Sequence, residues 1–121
     1  MKTGAKSADG LSLLEAEAAR RKARDEAERL RTRRRLEEGL EKIAGLGATW
    51  IYGSIVKPGK FGRYSDVDVA FESLPRGVSL YLLQSLLSEA VGREVDVCLL
   101  SETRLREKIE REGERFVAKG K

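Results

Sequence analysis

The sequence predicts an α+β fold: a small mixed β-sheet of at least three strands, covered by helices, with a long N-terminal helical extension. Three observations carry this expectation. Residues 13 to about 44 form a charged stretch without proline whose apolar positions fall at helical spacing. Three short segments with β-branched, alternating character follow at 48–52, 66–71 and 94–100. A leucine-rich helical stripe separates the second from the third, giving the order α-β-β-α-β-α with no internal repeat.

Residues 1–10 (MKTGAKSADG) are small and polar and read as a disordered lead-in. Ser12 and Glu15 have capping-box spacing, with Leu11 as a staple residue. Ala16, Ala19, Ala23, Ala27 and Leu30 then mark a weak apolar face over 11–35, a charged helical extension that buries little. Leu36, Leu40, Ile43 and Ala44 continue a stripe suited to packing, and the domain proper is placed at 36–121. Arg33-Arg34-Arg35 interrupts the register, so the stretch reads as one helix or as two with a break near 32–35. That arginine run is a solvated helix face or, alternatively, a nucleic-acid contact.

Composition changes at Gly45-Leu46-Gly47, and the aromatic, β-branched run 48–52 enters Gly53-Ser54. The segment 57–64 (KPGKFGRY) is rich in breakers and reads as a loop. After the DVDVAF strand, residues 74–77 make a turn, and Ser79 caps a helix running to about Val91. Leu82, Leu83, Leu86, Leu87 and Ala90 are expected inward on it, with Gly92-Arg93 ending it. The strand EVDVCLL comes next, then a last helix capped by Ser101 and carrying Leu105, Ile109 and Phe116. Cys98 and Trp50 read as packing residues.

Composition also limits the chemistry. The 121 residues fit one domain, with 40% hydrophobic residues, 36% charged residues and a net charge of +4. There is no histidine, which excludes Ser-His-Asp triads and His-ligated zinc. The single cysteine, Cys98, cannot form an internal disulfide. Catalysis is left to carboxylates, hydroxyls, Lys/Arg and a hard metal ion. With no signal-like run and no long apolar stretch, the expectation is a cytoplasmic protein with no membrane partner.

Asp66 and Asp68 are two apart on a predicted strand, so both carboxylates project to one side while Val67, Val69 and Phe71 face the other. Asp96 alternates with Val95 and Val97 in the same way, although that pattern also describes an ordinary half-exposed strand. Pairing of the two strands would gather three carboxylates. Like charges so placed need a cation, and a hard one with oxygen ligands that leaves room for phosphate is Mg²⁺. Two such ions would stabilise attacking and leaving oxygens in an in-line displacement. Gly53 directly after a strand lets the backbone approach a phosphate, and Ser54 adds donors.

The segment YGSIVKPGKFGRYSDVDVAFE, followed by EVDVCLL, resembles the minimal nucleotidyltransferase group of the DNA polymerase beta-type superfamily. That group has Gly-Ser, a loop of about ten residues, Asp-x-Asp, and a third carboxylate on a later strand. The resemblance covers roughly 36–117 and includes the run IEREG at 109–113. It implies the nucleotidyltransferase fold and transfer of a nucleoside monophosphate, AMP from ATP first, to an acceptor hydroxyl. Asp66, Asp68 and Asp96 would be the catalytic, metal-binding residues, and Gly53 and Ser54 would hold the β- and γ-phosphates. The family's arginines after Gly-Ser are replaced here by Ile55 and Lys57, so phosphate contacts move to Lys57, Lys60 or Arg63, with Ser65 beside them. Many small members resemble the antitoxin partner of a HEPN-type RNase whose tyrosine is the acceptor, which implies a protein partner and a homo- or hetero-oligomer. The alternatives are a non-catalytic module that neutralises a partner by contact, and a nucleic-acid-binding protein led by the arginine run.

Overall fold

The computed structural model describes residues 2–119, with side chains from Ser12 onward; Met1, Gly120, Lys121 and the expected staple side chain of Leu11 lie outside the described residues. The elements are α1 (Lys2–Glu41), β1 (Thr49–Tyr52), a 3₁₀ turn (Gly53–Val56), β2 (Val67–Phe71), α2 (Leu80–Val91), β3 (Val95–Leu99), α3 (Arg106–Glu112) and β4 (Glu114–Phe116). The strands form one mixed sheet in the order β3-β2-β1-β4. β1 lies antiparallel to both β2 and β4, while β2 and β3 are parallel and joined by α2 as the crossover. The α+β fold expected from the sequence, with its small mixed sheet and long N-terminal helix, is the one observed.

α1 is a single helix of 40 residues. It runs through the segment read as a disordered lead-in and shows no break at 32–35. Arginine is a good helix former and no proline interrupts the run, so local propensity favours continuation. Ser12 and Glu15 sit inside the helix and cap nothing. Thr32, Leu36 and Leu40, spaced four apart, are all essentially fully buried against the domain. Gly39 is where α1 crosses α2, since a Cβ there would lie 3.1 Å from the Ala90 Cβ and 3.3 Å from Leu87.

The sheet has two unequal faces. Ile51, Val67, Val69, Phe71 and Val95 point to one side and pack with Leu36, Leu40, Leu83, Leu87 and Val91 of the two long helices. On the other side, Ala70, Leu100 and Ile109 form a smaller cluster with Trp50, Tyr52 and Cys98 around α3. The carboxylates of Asp68 and Asp96, by strand parity, belong to this second, more open face.

α2 starts where expected. The Ser79 side chain accepts from the Leu82 N–H, and Gly92 closes the helix in the left-handed region at φ 84°. Its stripe is narrower than expected. Leu83 and Leu87 are buried, but Leu82 is 45% and Leu86 44% exposed, because the sheet and α1 together cover a single line of that helix. The last helix is also shorter than expected: Gly113 ends it, and Phe116 lies in β4, a strand absent from the expected order, on the free edge of β1. No helix among the described residues is long and apolar enough to cross a membrane.

Candidate active site

Tyr52, Asp68 and Asp96 form one row across the sheet: Tyr52 is opposite Asp68 on β1–β2, and Asp68 is opposite Asp96 on β2–β3. Neighbouring strands are about 4.8 Å apart, so the two aspartates share one face at close range. Asp66, expected to open this strand, instead lies one residue ahead of β2 and is exposed with the parity of Asp68. None of the three carboxylates has an ion-pair or hydrogen-bond partner among the described residues. Burial first, then the charges of Asp96 and Asp66, push the Asp68 carboxyl up to about 6 from an ordinary 3.8.

Gly53 closes on this row. Its φ is +84°, and an added Cβ would meet the Asp68 Oδ2 at 2.5 Å. Glycine is therefore required twice, by backbone conformation and by the carboxylate pressed against it. Ser54 occupies the 3₁₀ turn, and the turn's N-cap, Tyr52, makes no side-chain capping bond. The Ser54 carbonyl accepts from the Lys57 N–H at 3.0 Å, and its half-buried hydroxyl has no partner among the described residues. Tyr52 hydroxyl lies 3.8 Å from the Cys98 Sγ, and burial, that contact and the nearby aspartates raise its phenol well above the usual range.

A cleft of about 260 Å³ opens here, lined by Tyr52, Gly53, Lys57, Asp68, Leu105, Lys108, Ile109 and Glu112. The Lys57 ammonium bridges it to the Glu112 Oε1 at 3.2 Å and holds the Glu112 carboxyl below its usual range. Lys108 and Glu112 were not singled out in the sequence. Their signal was the four-residue spacing of Leu105, Ile109 and Gly113, which turns Lys108 and Glu112 to the rim of the same helix face.

The other sequence-derived candidates lie elsewhere. Arg63 stacks on Tyr64, with its guanidinium carbon 5.7 Å from the ring, and lines a separate groove with Arg24 and Arg31 of α1. Lys60 is exposed and outside the cleft. Ser65 closes its own loop, its hydroxyl accepting from the Gly62 N–H at 2.9 Å. Arg33 of the arginine run is paired with Glu37 and Glu114.

A divalent cation is implied by the family resemblance, and the donor set suits one. It consists of carboxylate oxygens alone, uncompensated, on the open face of the sheet. No group of three or more His, Cys, Asp or Glu among the described residues is gathered at metal-ligand spacing. Like-charged carboxylates without a counter-ion stay apart, and Mg²⁺ is commonly held by one or two carboxylates plus substrate phosphates. The open set is compatible with that mode.

No family model and no curated protein sequence matches the chain. Among solved structures, one chain of a crystal structure described as "the toxin-antitoxin with AMP-PNP" superposes with a TM-score of 0.53 at 20% identity. The match covers 76% of this chain and 74% of that one. At that identity the two chains share a fold.

Proposed function

We propose that this protein is a magnesium-dependent nucleotidyltransferase that moves AMP from ATP to a hydroxyl of a partner protein, a tyrosine of a HEPN-type toxin, and so acts as an antitoxin. The observation that carries the reading is the register of Asp68 against Asp96, with Asp66 two residues away and Gly53 packed on the Asp68 carboxylate. The fold shared with a toxin–antitoxin structure that holds an ATP analogue supports both the nucleotide and the protein partner.

Asp66, Asp68 and Asp96 would hold Mg²⁺, which when bound neutralises the phosphate oxygens and polarises the α-phosphorus. The Gly53 N–H and the Ser54 hydroxyl would donate to the β- and γ-phosphates. Lys57, now spent on Glu112, would exchange that carboxylate for phosphate, and Lys108 would face it across the cleft. The acceptor oxygen forms a bond to the α-phosphorus as the bond to the β-phosphate oxygen breaks. Pyrophosphate leaves, and the hydroxyl proton passes to Asp96.

Incubation with labelled ATP and the partner should add one AMP to the partner's mass. Asp66→Asn/Asp68→Asn should abolish the transfer, and undiminished labelling would sink the proposal. A second reading, neutralisation by contact alone, draws on exposed Tyr81, Leu82 and Leu86 on α2. It predicts full inhibition of the partner with no change in its mass.

A further inference from the structure

Arg93 lies outside the cleft and yet is among the most engaged side chains of the fold. Its Nη1 donates to the Ser65 carbonyl at 2.6 Å and to the Gly62 carbonyl at 3.2 Å. Its Nη2 donates to the Glu28 Oε2 of α1 at 3.0 Å. The guanidinium also lies over the Phe61 ring, 4.5 Å from its centre, and the side chain is only 16% exposed.

The location of these contacts gives them their meaning. Ser65 is bonded to Asp66, and Arg93 lies in the turn leading into β3, three residues before Asp96. One side chain thus ties the backbone at one carboxylate to the strand that carries another. The Asp68–Asp96 distance is set by the strand register, but Asp66 is ahead of β2 and has no ladder to hold it. A planar guanidinium makes these bonds at once while stacking on a ring; a lysine ammonium cannot. Removing so charged a group from water is unfavourable unless it is paired and hydrogen-bonded, as Arg93 is by Glu28 and two carbonyls. A loop needing only closure would be served as well by an apolar plug like Phe61.

We propose that Arg93 is a positioning residue for the cation-binding carboxylates, fixing Asp66 relative to the Asp68–Asp96 pair, with Glu28 of α1 orienting its guanidinium. The inference rests on the nucleotidyltransferase reading and deepens it, making the long helix a support of the site.

The test is Mn²⁺ titration by calorimetry on the full chain, without and with a non-hydrolysable ATP analogue, alongside hydrogen exchange of residues 60–66. Arg93→Lys should weaken Mn²⁺ binding roughly ten- to hundred-fold, as loss of a second-layer partner does at other metal sites. Exchange at 60–66 should rise while β3 stays protected. Glu28→Gln, a milder change that keeps Arg93, should shift both readouts the same way by a smaller factor, even if Arg93→Lys fails to fold. In an Asp66→Asn background Arg93→Lys should add no further loss, because its effect runs through Asp66. Folded variants that bind Mn²⁺ like the wild type, or an undiminished further loss in the Asp66→Asn background, would overturn the positioning role alone. Wild-type protein that binds no Mn²⁺ in either condition, or binds it equally after Asp66→Asn, would overturn the proposed chemistry and this inference with it.

Discussion

Gly53 and the Asp68 carboxylate occupy adjoining space so closely that a single methyl group at position 53 would come within 2.5 Å of the Asp68 Oδ2. The contact joins the residue after β1 to the start of β2 at the point where both meet the cleft. It also means that the site cannot be altered at Gly53 without moving Asp68.

Gly53→Ala should therefore lower stability by about 1–3 kcal/mol, combining a left-handed φ with the clash. Nucleotidyl transfer should fall more steeply than stability, since the displaced group is Asp68. Urea denaturation gives the first quantity and labelled-ATP transfer to the partner the second. Unchanged transfer would separate Gly53 from the site.

Asp68 makes stability fall as pH rises. Its carboxyl is raised to about 6 in the fold from 3.8, so between those values the native state binds the proton more tightly than the unfolded chain. The stabilising effect is complete below pH 3.8 and gone above about 6. Because the side chain is half exposed, solvent screening limits it to about 1 kcal/mol. Asp68→Asn should flatten this part of the pH profile and raise the urea midpoint at pH 7. Millimolar Mg²⁺ should raise the wild-type midpoint at pH 7 and leave the variant's nearly unchanged.

Thr49 faces the main core fully buried, with its Oγ1 lacking any hydrogen-bond partner among the described residues. Thr49→Val keeps the shape, removes the stranded hydroxyl and suits a strand. It should raise stability by about 1 kcal/mol. A lower melting temperature in calorimetry would count against that account.

α1 divides functionally near Arg24. Leu13 and Leu14 are 70% and 67% exposed, whereas from Asp25 onward the helix meets the domain through Gly62, Ile55 and Arg93. Deleting residues 2–20 should leave the melting temperature within about 2 °C, as befits loss of surface groups worth under about 0.5 kcal/mol. Deleting 2–31 removes the Arg29 bond to the Ile55 carbonyl and the Glu28–Arg93 pair, and should lower the melting point markedly.

The parts of the fold legible in the sequence are those dictated by neighbours along the chain. Alternation placed Asp66 and Asp68 on one side, and Ser79 and Gly92 bounded α2, because strand pleat, caps and left-handed turns are local. Long-range partners were not legible. β4 is three residues long and exists because β1 has a free edge, which residues 114–116 do not announce. Arg93 reads as a helix stop, and its main partners lie 28 and 65 positions away. Leu82 and Leu86 look like core because a helical stripe shows its width in sequence only once the covering elements are known.

The length of α1 also governs how the protein moves through solution. At 1.5 Å per residue, the 24 residues up to Asp25 form a rod of about 36 Å, longer than the roughly 14 Å radius of gyration of a compact chain this size. A small globule carrying such a mast tumbles about one axis far faster than about the other two. It also sweeps a volume well beyond its mass, so drag on the mast will weigh more in its sedimentation and elution than the whole open face of the sheet.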